Sequence, residues 1–129
     1  MTDSSVALPE GIEIAPFKPV AYYDKHMDCI RVVTHDRSVT EHRIDSFITI
    51  HECNHRGQHD PQYVGFTIKG IHYLFEQIGR TLEGVLRLTD LIDEIVRHQP
   101  ESTMSIMLSL ISRDQEAASD LEIDFKEAA

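Results

Sequence analysis

The segment FITIHECNHRGQHD, residues 47–60, decides how the chain folds, because its centre fits both a helical motif and a strand. His51 and His55 enclose an HExxH string, which binds zinc in peptidases only when a helix places both rings on one face. The preceding FITI is aromatic and β-branched, and Asn54 and Gly57 interrupt helices soon afterwards. We therefore predict a strand that ends in a loop, with the two histidines about 13 Å apart, too far for one ion.

The same loop is also a candidate metal site if the chain turns at Asn54. Such a turn would gather four side chains of the kind that zinc prefers, namely His51, Cys53, His55 and His59. Zinc or another divalent ion held there would activate water, so a metal-dependent hydrolase is one hypothesis for this chain. We favour the other interpretation, a polar hairpin loop without metal or cofactor, because the flanking residues do not support the metal-binding helix.

The N-terminal half around this segment contains short runs of β-branched and aromatic residues separated by polar turns, which is typical of consecutive strands. These runs cover residues 19–23, 28–34, 39–44, 47–52 and 63–69. The connections 24–27, 35–38 and 45–46 are short enough for hairpin turns. We therefore predict an antiparallel meander in which each strand pairs with the next.

The periodicity of apolar residues changes after residue 70. They recur every three or four positions, which indicates helices at about 71–78, 90–98 and 102–118. Residues 81–88 fit either a helical turn or an extended connection. Strands followed by helices predict a single α+β domain over residues 1–129, with the helices packed on one face of the sheet.

The two ends of the chain are expected to be mobile. Residues 1–11 are small and polar and include a proline and a glycine, which is typical of a tail. In the second predicted tail, residues 119–129, Leu121, Ile123 and Phe125 alternate with acidic residues. That alternation fits either an added strand, on this chain or on a partner, or a frayed end, and we expect it to become ordered only by docking.

Composition and charge narrow the classes of function. The chain has 129 residues, of which 41% are hydrophobic, and no apolar run approaches the roughly 18 residues of a membrane span. A net charge of -10 repels a phosphate backbone, so we expect no nucleic-acid partner. The first residues lack the basic and apolar stretches of an export signal, which predicts a cytoplasmic protein with Cys29 and Cys53 reduced.

No other set of residues in the sequence indicates catalysis. Cys29 lies in a predicted strand, where a buried, unreactive thiol is expected. Asp24 and Asp28 flank a predicted turn, in which aspartates commonly bond the neighbouring backbone rather than act as an acid and a base. The six glycines are spread singly, so the sequence has no glycine-rich phosphate loop.

Four short motifs follow one another in the strand region: YDKHMDCI at 23–30, SVTE at 38–41, FITI at 47–50 and YVGFTI at 63–68. This succession resembles a widespread bacterial family of very small domains of unknown function, which has a YDxxxDxL/I hairpin and a VGxEI final strand. The chain departs from the family in its long loop CNHRGQHDPQ and in Thr67, where the family has glutamate. The resemblance covers about residues 20–70 and implies a sheet fold, with no site residues carried over.

These observations favour a non-catalytic protein-interaction or regulatory module that acts as a homo-oligomer, most simply a homodimer. A sheet of about five strands leaves exposed edges, and the apolar helices together with the alternating end exceed what one small subunit readily covers. A protein partner would cover the same surfaces. The metal-dependent hydrolase remains the alternative function.

Overall fold

The computed structural model describes residues 17–55, 57–114 and 121–125, and it confirms the α+β class, with the five predicted strands and three helices. The strands of the main sheet are β1 Val20–Asp24, β2 Cys29–Val33, β3 Val39–Arg43, β4 Ile48–Cys53 and β5 Tyr63–Lys69. The remaining elements are α1 Ile71–Ile78, β6 Val85–Arg87, α2 Leu88–His98, α3 Thr103–Asp114 and β7 Glu122–Asp124. The predicted tail 1–11 and the predicted helical residues 115–118 lie outside the described residues.

The strand order corrects one feature of the predicted meander. The sheet runs β1-β2-β5-β4-β3, and every neighbouring pair is antiparallel. The predicted pairing of β2 with β3 is wrong, because β5 lies between β2 and β4. The side chains of β5 are buried along most of its length, whereas every residue of β3 is exposed. Burial of apolar side chains therefore favours β5 in the centre and leaves β3 at an edge.

One face of the sheet carries the apolar core. It is formed by alternate strand residues, namely Ala21, Tyr23, Ile30, Val32, Ile48, Ile50, Phe66 and Ile68. All three helices contribute buried residues to the same cluster, for example Leu74, Leu91 and Leu108, so the helices pack on this face as predicted. Burial of each isoleucine contributes about 2 kcal/mol to the free energy of unfolding.

The segment after α1 and the C-terminal segment form a second, two-stranded sheet. Within residues 81–88, β6 is extended and α2 begins at Leu88, two residues before the predicted start. Strand β7 pairs with β6, placing Ile123 opposite Leu86. Residues 122–124 of the predicted tail 119–129 are therefore a docked strand of the same chain, one of the alternatives that the alternating sequence left open.

Packing explains why this last strand is ordered. The alternation directs Ile123 and Phe125 towards the core, where Ile123 has no exposed surface. The ring of Phe125 lies 5.3 Å from that of Tyr23 and 5.2 Å from that of Phe75, measured between centroids. These contacts bury apolar surface that the alternating sequence would otherwise expose.

Candidate functional site: the open face of the sheet

The face of the sheet opposite the core carries a set of polar side chains. Residues that pair across neighbouring antiparallel strands point to the same face. Arg31 is opposite Thr67, and Thr67 is in turn opposite Thr49, so these three form a row across the middle of the sheet. The polar residues of this open face are Arg31 on β2, Glu41 and Arg43 on β3, Thr49 and His51 on β4, and Thr67 and Lys69 on β5.

His51, the first histidine of the HExxH string, is the most enclosed ionisable residue of this face. The residue is 6% exposed, and its Nε2 lies 2.9 Å from Thr67 Oγ1 and 3.4 Å from Glu41 Oε1. Burial lowers the pKa of His51 below its ordinary value, although the Glu41 carboxylate opposes that shift. At neutral pH the imidazole is therefore uncharged.

Gly65, which is opposite His51 on β5, provides the space for this ring. A Cβ at this position would lie 2.0 Å from the carbonyl oxygen of Val32 and 3.2 Å from His51 Nδ1. The backbone φ of 153° also lies in a region that residues with a side chain rarely adopt. Glycine is therefore required for the strand to approach β2 and His51 this closely.

The charged residues of the open face are only partly paired. Arg31 lies 3.9 Å from Asp24 and 4.0 Å from Glu41, which makes two long ion pairs. Lys69 forms no ion pair with any residue that the structure describes. A cavity of about 200 Å³ opens on this face, and its polar and charged lining residues include Arg31, Glu41, Thr49, Thr67 and Lys69.

The thiol on this face is not set up as a nucleophile. Burial raises the pKa of Cys29, which keeps the thiol protonated, as the sequence predicted for a buried cysteine. Its partner on β5 is Lys69, whereas the partner of His51 is Gly65, four residues away. That separation is about 13 Å along the strand, so His51 does not activate Cys29.

The structure confirms that the HExxH string begins in a strand and ends in a loop, as predicted. Strand β4 continues to Cys53, with a β-bulge between His51 and Glu52. Glu52 accepts a hydrogen bond from His42, at 2.7 Å, instead of lying beside His51. Asn54 then turns the chain, holding Ser38 through its backbone N–H and its side chain.

The four predicted metal ligands are not brought together. His51 and Cys53 are buried on β4, whereas His55 and His59 are exposed in the following loop. In the part of the chain that the structure describes, no group of three or more His, Cys, Asp and Glu side chains is arranged to hold a metal ion. The geometry therefore provides no support for the metal site of the alternative function.

A second polar cluster, which the sequence did not predict, joins the β1–β2 turn to α1. The Asp28 carboxylate accepts hydrogen bonds from the Tyr23 hydroxyl at 2.7 Å and from the backbone N–H of His72 at 3.2 Å, and its Oδ1 lies 2.6 Å from His72 Nδ1. Burial alone would raise the pKa of Asp28, but the hydrogen bonds from Tyr23 and His72 outweigh it and lower the pKa. Burial, with a contribution from Asp28, raises the pKa of Tyr23.

This cluster has a structural role, as a cap for helix α1. The N-cap residue of α1 is Gly70, which has no side chain to bond the first turn, and Asp28 supplies the missing acceptor from another element. The sequence predicted backbone bonds for both aspartates of the turn. Asp24 makes them, to the N–H groups of His26 and Met27, whereas Asp28 bonds the distant helix instead.

None of the described helices is long and apolar enough to cross a lipid bilayer.

The resemblance over residues 20–70 depends on the sequence motifs alone. In the comparisons with known proteins, no protein-family model, curated protein or solved structure matches the chain.

Proposed function

We propose that the protein is a non-catalytic protein-interaction module that acts as a homodimer, in which the β3 strands of two copies pair into one continuous sheet. The observation that carries this proposal is the composition and exposure of β3. It is an edge strand, paired with β4 alone among the described elements, and all five of its residues are exposed. Its sequence VTEHR carries charges of both signs.

The hydrogen bonds at the two ends of β3 determine which backbone groups point outwards. The N–H of Ile44 bonds the carbonyl of Ile48, and the N–H of Asn54 bonds the carbonyl of Ser38. In an antiparallel ladder, alternate residues direct both backbone groups to the same neighbour. The even-numbered residues of β3 therefore bond β4, and the odd-numbered residues, which include Glu41 and Arg43, present N–H and C=O groups to the free edge.

Self-pairing of this edge is favourable in one register. When the two-fold axis passes through His42, Glu41 of each copy lies opposite Arg43 of the other copy, on the open face. When it passes through Glu41, the two glutamates face each other, and like charges directly opposite destabilise a sheet. The first register forms backbone bonds through the outward residues and adds two ion pairs, each contributing about 0.2–1 kcal/mol.

The dimer is expected to be concentration-dependent. Two five-residue strands bury little surface, and small interfaces are characteristic of weak or transient complexes. The net charge of -10 on each copy adds repulsion between them. Size-exclusion chromatography with light scattering, run over a range of micromolar concentrations, should show the mass rising from 14.8 kDa towards twice that value.

Charge reversal tests the register. Arg43→Glu places a glutamate opposite Glu41 of the other copy, and Glu41→Arg places an arginine opposite Arg43. Each single variant should therefore remain monomeric at concentrations where the wild type dimerises. The double variant restores opposite charges and should dimerise again. Glu76→Arg, on the exposed surface of α1, is the matched control and should behave as the wild type. A monomeric wild type, or a dimer that ignores both single reversals, would overturn the proposal.

A further inference from the structure

We propose that the cavity on the open face binds a small anion, a carboxylate or a phosphate, between Arg31 and Lys69. This inference goes beyond dimerisation and does not depend on it. It combines three observations on one cavity: two cationic side chains, a buried hydroxyl without a protein partner, and a volume that suits a small ligand.

The two cations lie close enough to bind the same ligand. Arg31 is opposite Thr67, and Lys69, two residues further along β5 on the same face, is opposite Cys29. Such diagonal neighbours have Cα atoms about 7–8 Å apart, within reach of long side chains. A guanidinium and an ammonium that line one cavity are the groups proteins use to bind carboxylates and phosphates.

The floor of the cavity supplies hydrogen-bond donors between these charges. Thr49 and Thr67 are opposite each other, and the two residues are 8% and 3% exposed. The hydroxyl of Thr67 is shared with His51, whereas the hydroxyl of Thr49 has no hydrogen-bond partner among the described residues. A buried hydroxyl without a partner is costly, and an anion in the cavity would accept a hydrogen bond from it.

One acid, Glu41, also lines the cavity, so Arg31, Lys69 and Glu41 together give the lining a net positive charge. Asp24 on β1 and Glu41 on β3 are the acids that approach Arg31, and both are near 4 Å, too long for direct hydrogen bonds. Burial keeps the pKa of Cys29 raised, so that thiol is neutral. Lys69 has no ion pair among the described residues, so its ammonium group is available to pair with a bound anion.

The volume limits the size of the ligand. About 200 Å³ is below the range of about 300–1,000 Å³ typical of sites for drug-sized molecules. A phosphate ion or a short carboxylate suits this volume better than a whole nucleotide. Phosphate and carboxylate accept hydrogen bonds from the same donors, so the protein must be titrated with each anion separately to find which one it binds.

The test is an NMR titration of the full chain with inorganic phosphate and, separately, with acetate, at constant ionic strength set by chloride. At least one anion should give saturating shift changes confined to the amides around Arg31, Thr49, Thr67 and Lys69. Lys69→Gln and Thr49→Val should each weaken that binding about tenfold, the size expected for loss of a charge-assisted hydrogen bond. Lys18→Gln, which removes an exposed lysine before β1, is the matched control and should leave it unchanged.

Two results would overturn the inference. One is shift changes that do not saturate with either anion, or that spread over all basic residues. The other is unchanged affinity in Lys69→Gln, whose side chain is half-buried. Circular dichroism of each variant verifies the fold, and the lysine variant decides the question if Thr49→Val is unfolded.

Discussion

At the scale of single residues, Gly65 imposes the closest packing in the sheet. Gly65→Ala should lower the free energy of unfolding by more than about 2 kcal/mol, because the added Cβ meets the Val32 carbonyl at 2.0 Å and φ is 153°. Gly79→Ala is the control: its φ of 75° is also unfavourable, but the added Cβ meets nothing within 4 Å, so about 1 kcal/mol is expected. If urea unfolding shows the same loss of free energy of unfolding for Gly65→Ala and Gly79→Ala, the packing explanation is wrong.

His51 provides a second prediction at this scale, which concerns pH. Its folded-state pKa is lowered by burial, so the unfolded chain binds the proton first as pH falls. The free energy of unfolding should therefore be insensitive to His51 above its ordinary pKa of about 6.5 and should decrease below it. Urea unfolding between about pH 7 and pH 5 should show a smaller decrease for His51→Gln than for the wild type.

The exposed His59 serves as the control for this measurement. His59→Gln changes an exposed histidine of the loop after β4 and should retain the wild-type dependence on pH. If the free energy of unfolding of both variants depends on pH as steeply as that of the wild type, His51 does not cause the loss of stability at low pH.

At the scale of elements, β7 contributes to the core in spite of its short length. Ile123→Ala should lower the free energy of unfolding by about 2–4 kcal/mol, because Ile123 is fully buried against the main core. Glu122→Ala, the exposed neighbour on the same strand, should change it by less than about 0.5 kcal/mol. Equal effects in urea unfolding would mean that the strand does not pack as described.

The sequence predicted elements better than their arrangement, for a physical reason. Alternating or three-and-four spacing of apolar residues is local, so the five strands and three helices were identifiable, as was the extended HExxH string. Strand order depends on which strands bury the most surface, which spacing between neighbours does not reveal. Two further features depend on contacts between distant residues and were therefore not predictable from local spacing. One is the polar cluster in which Asp28 contacts His72, 44 positions away, and the other is the burial of His51 opposite Gly65 on another strand.

At the scale of the whole molecule, the sheet of the described residues has one apolar face packed against the helices, one polar face and two different edges. On β1, alternate residues are buried and Tyr23 packs against Phe125, whereas β3 is exposed throughout. Natural proteins usually blunt exposed edges with charged side chains or with proline. The edge of β3 carries charges of opposite sign, Glu41 and Arg43, whose order makes it complementary to itself.

Amide hydrogen exchange at β3, followed over protein concentration, tests this central claim most directly. Thr40 and His42 direct their N–H groups towards β4 and should be protected at every concentration. The outward amides of Glu41 and Arg43 should gain protection as the concentration rises and lose it on dilution or in Arg43→Glu. Exchange of these two amides that stays fast at all concentrations, while light scattering detects a dimer, would show that the copies meet elsewhere and would contradict the account.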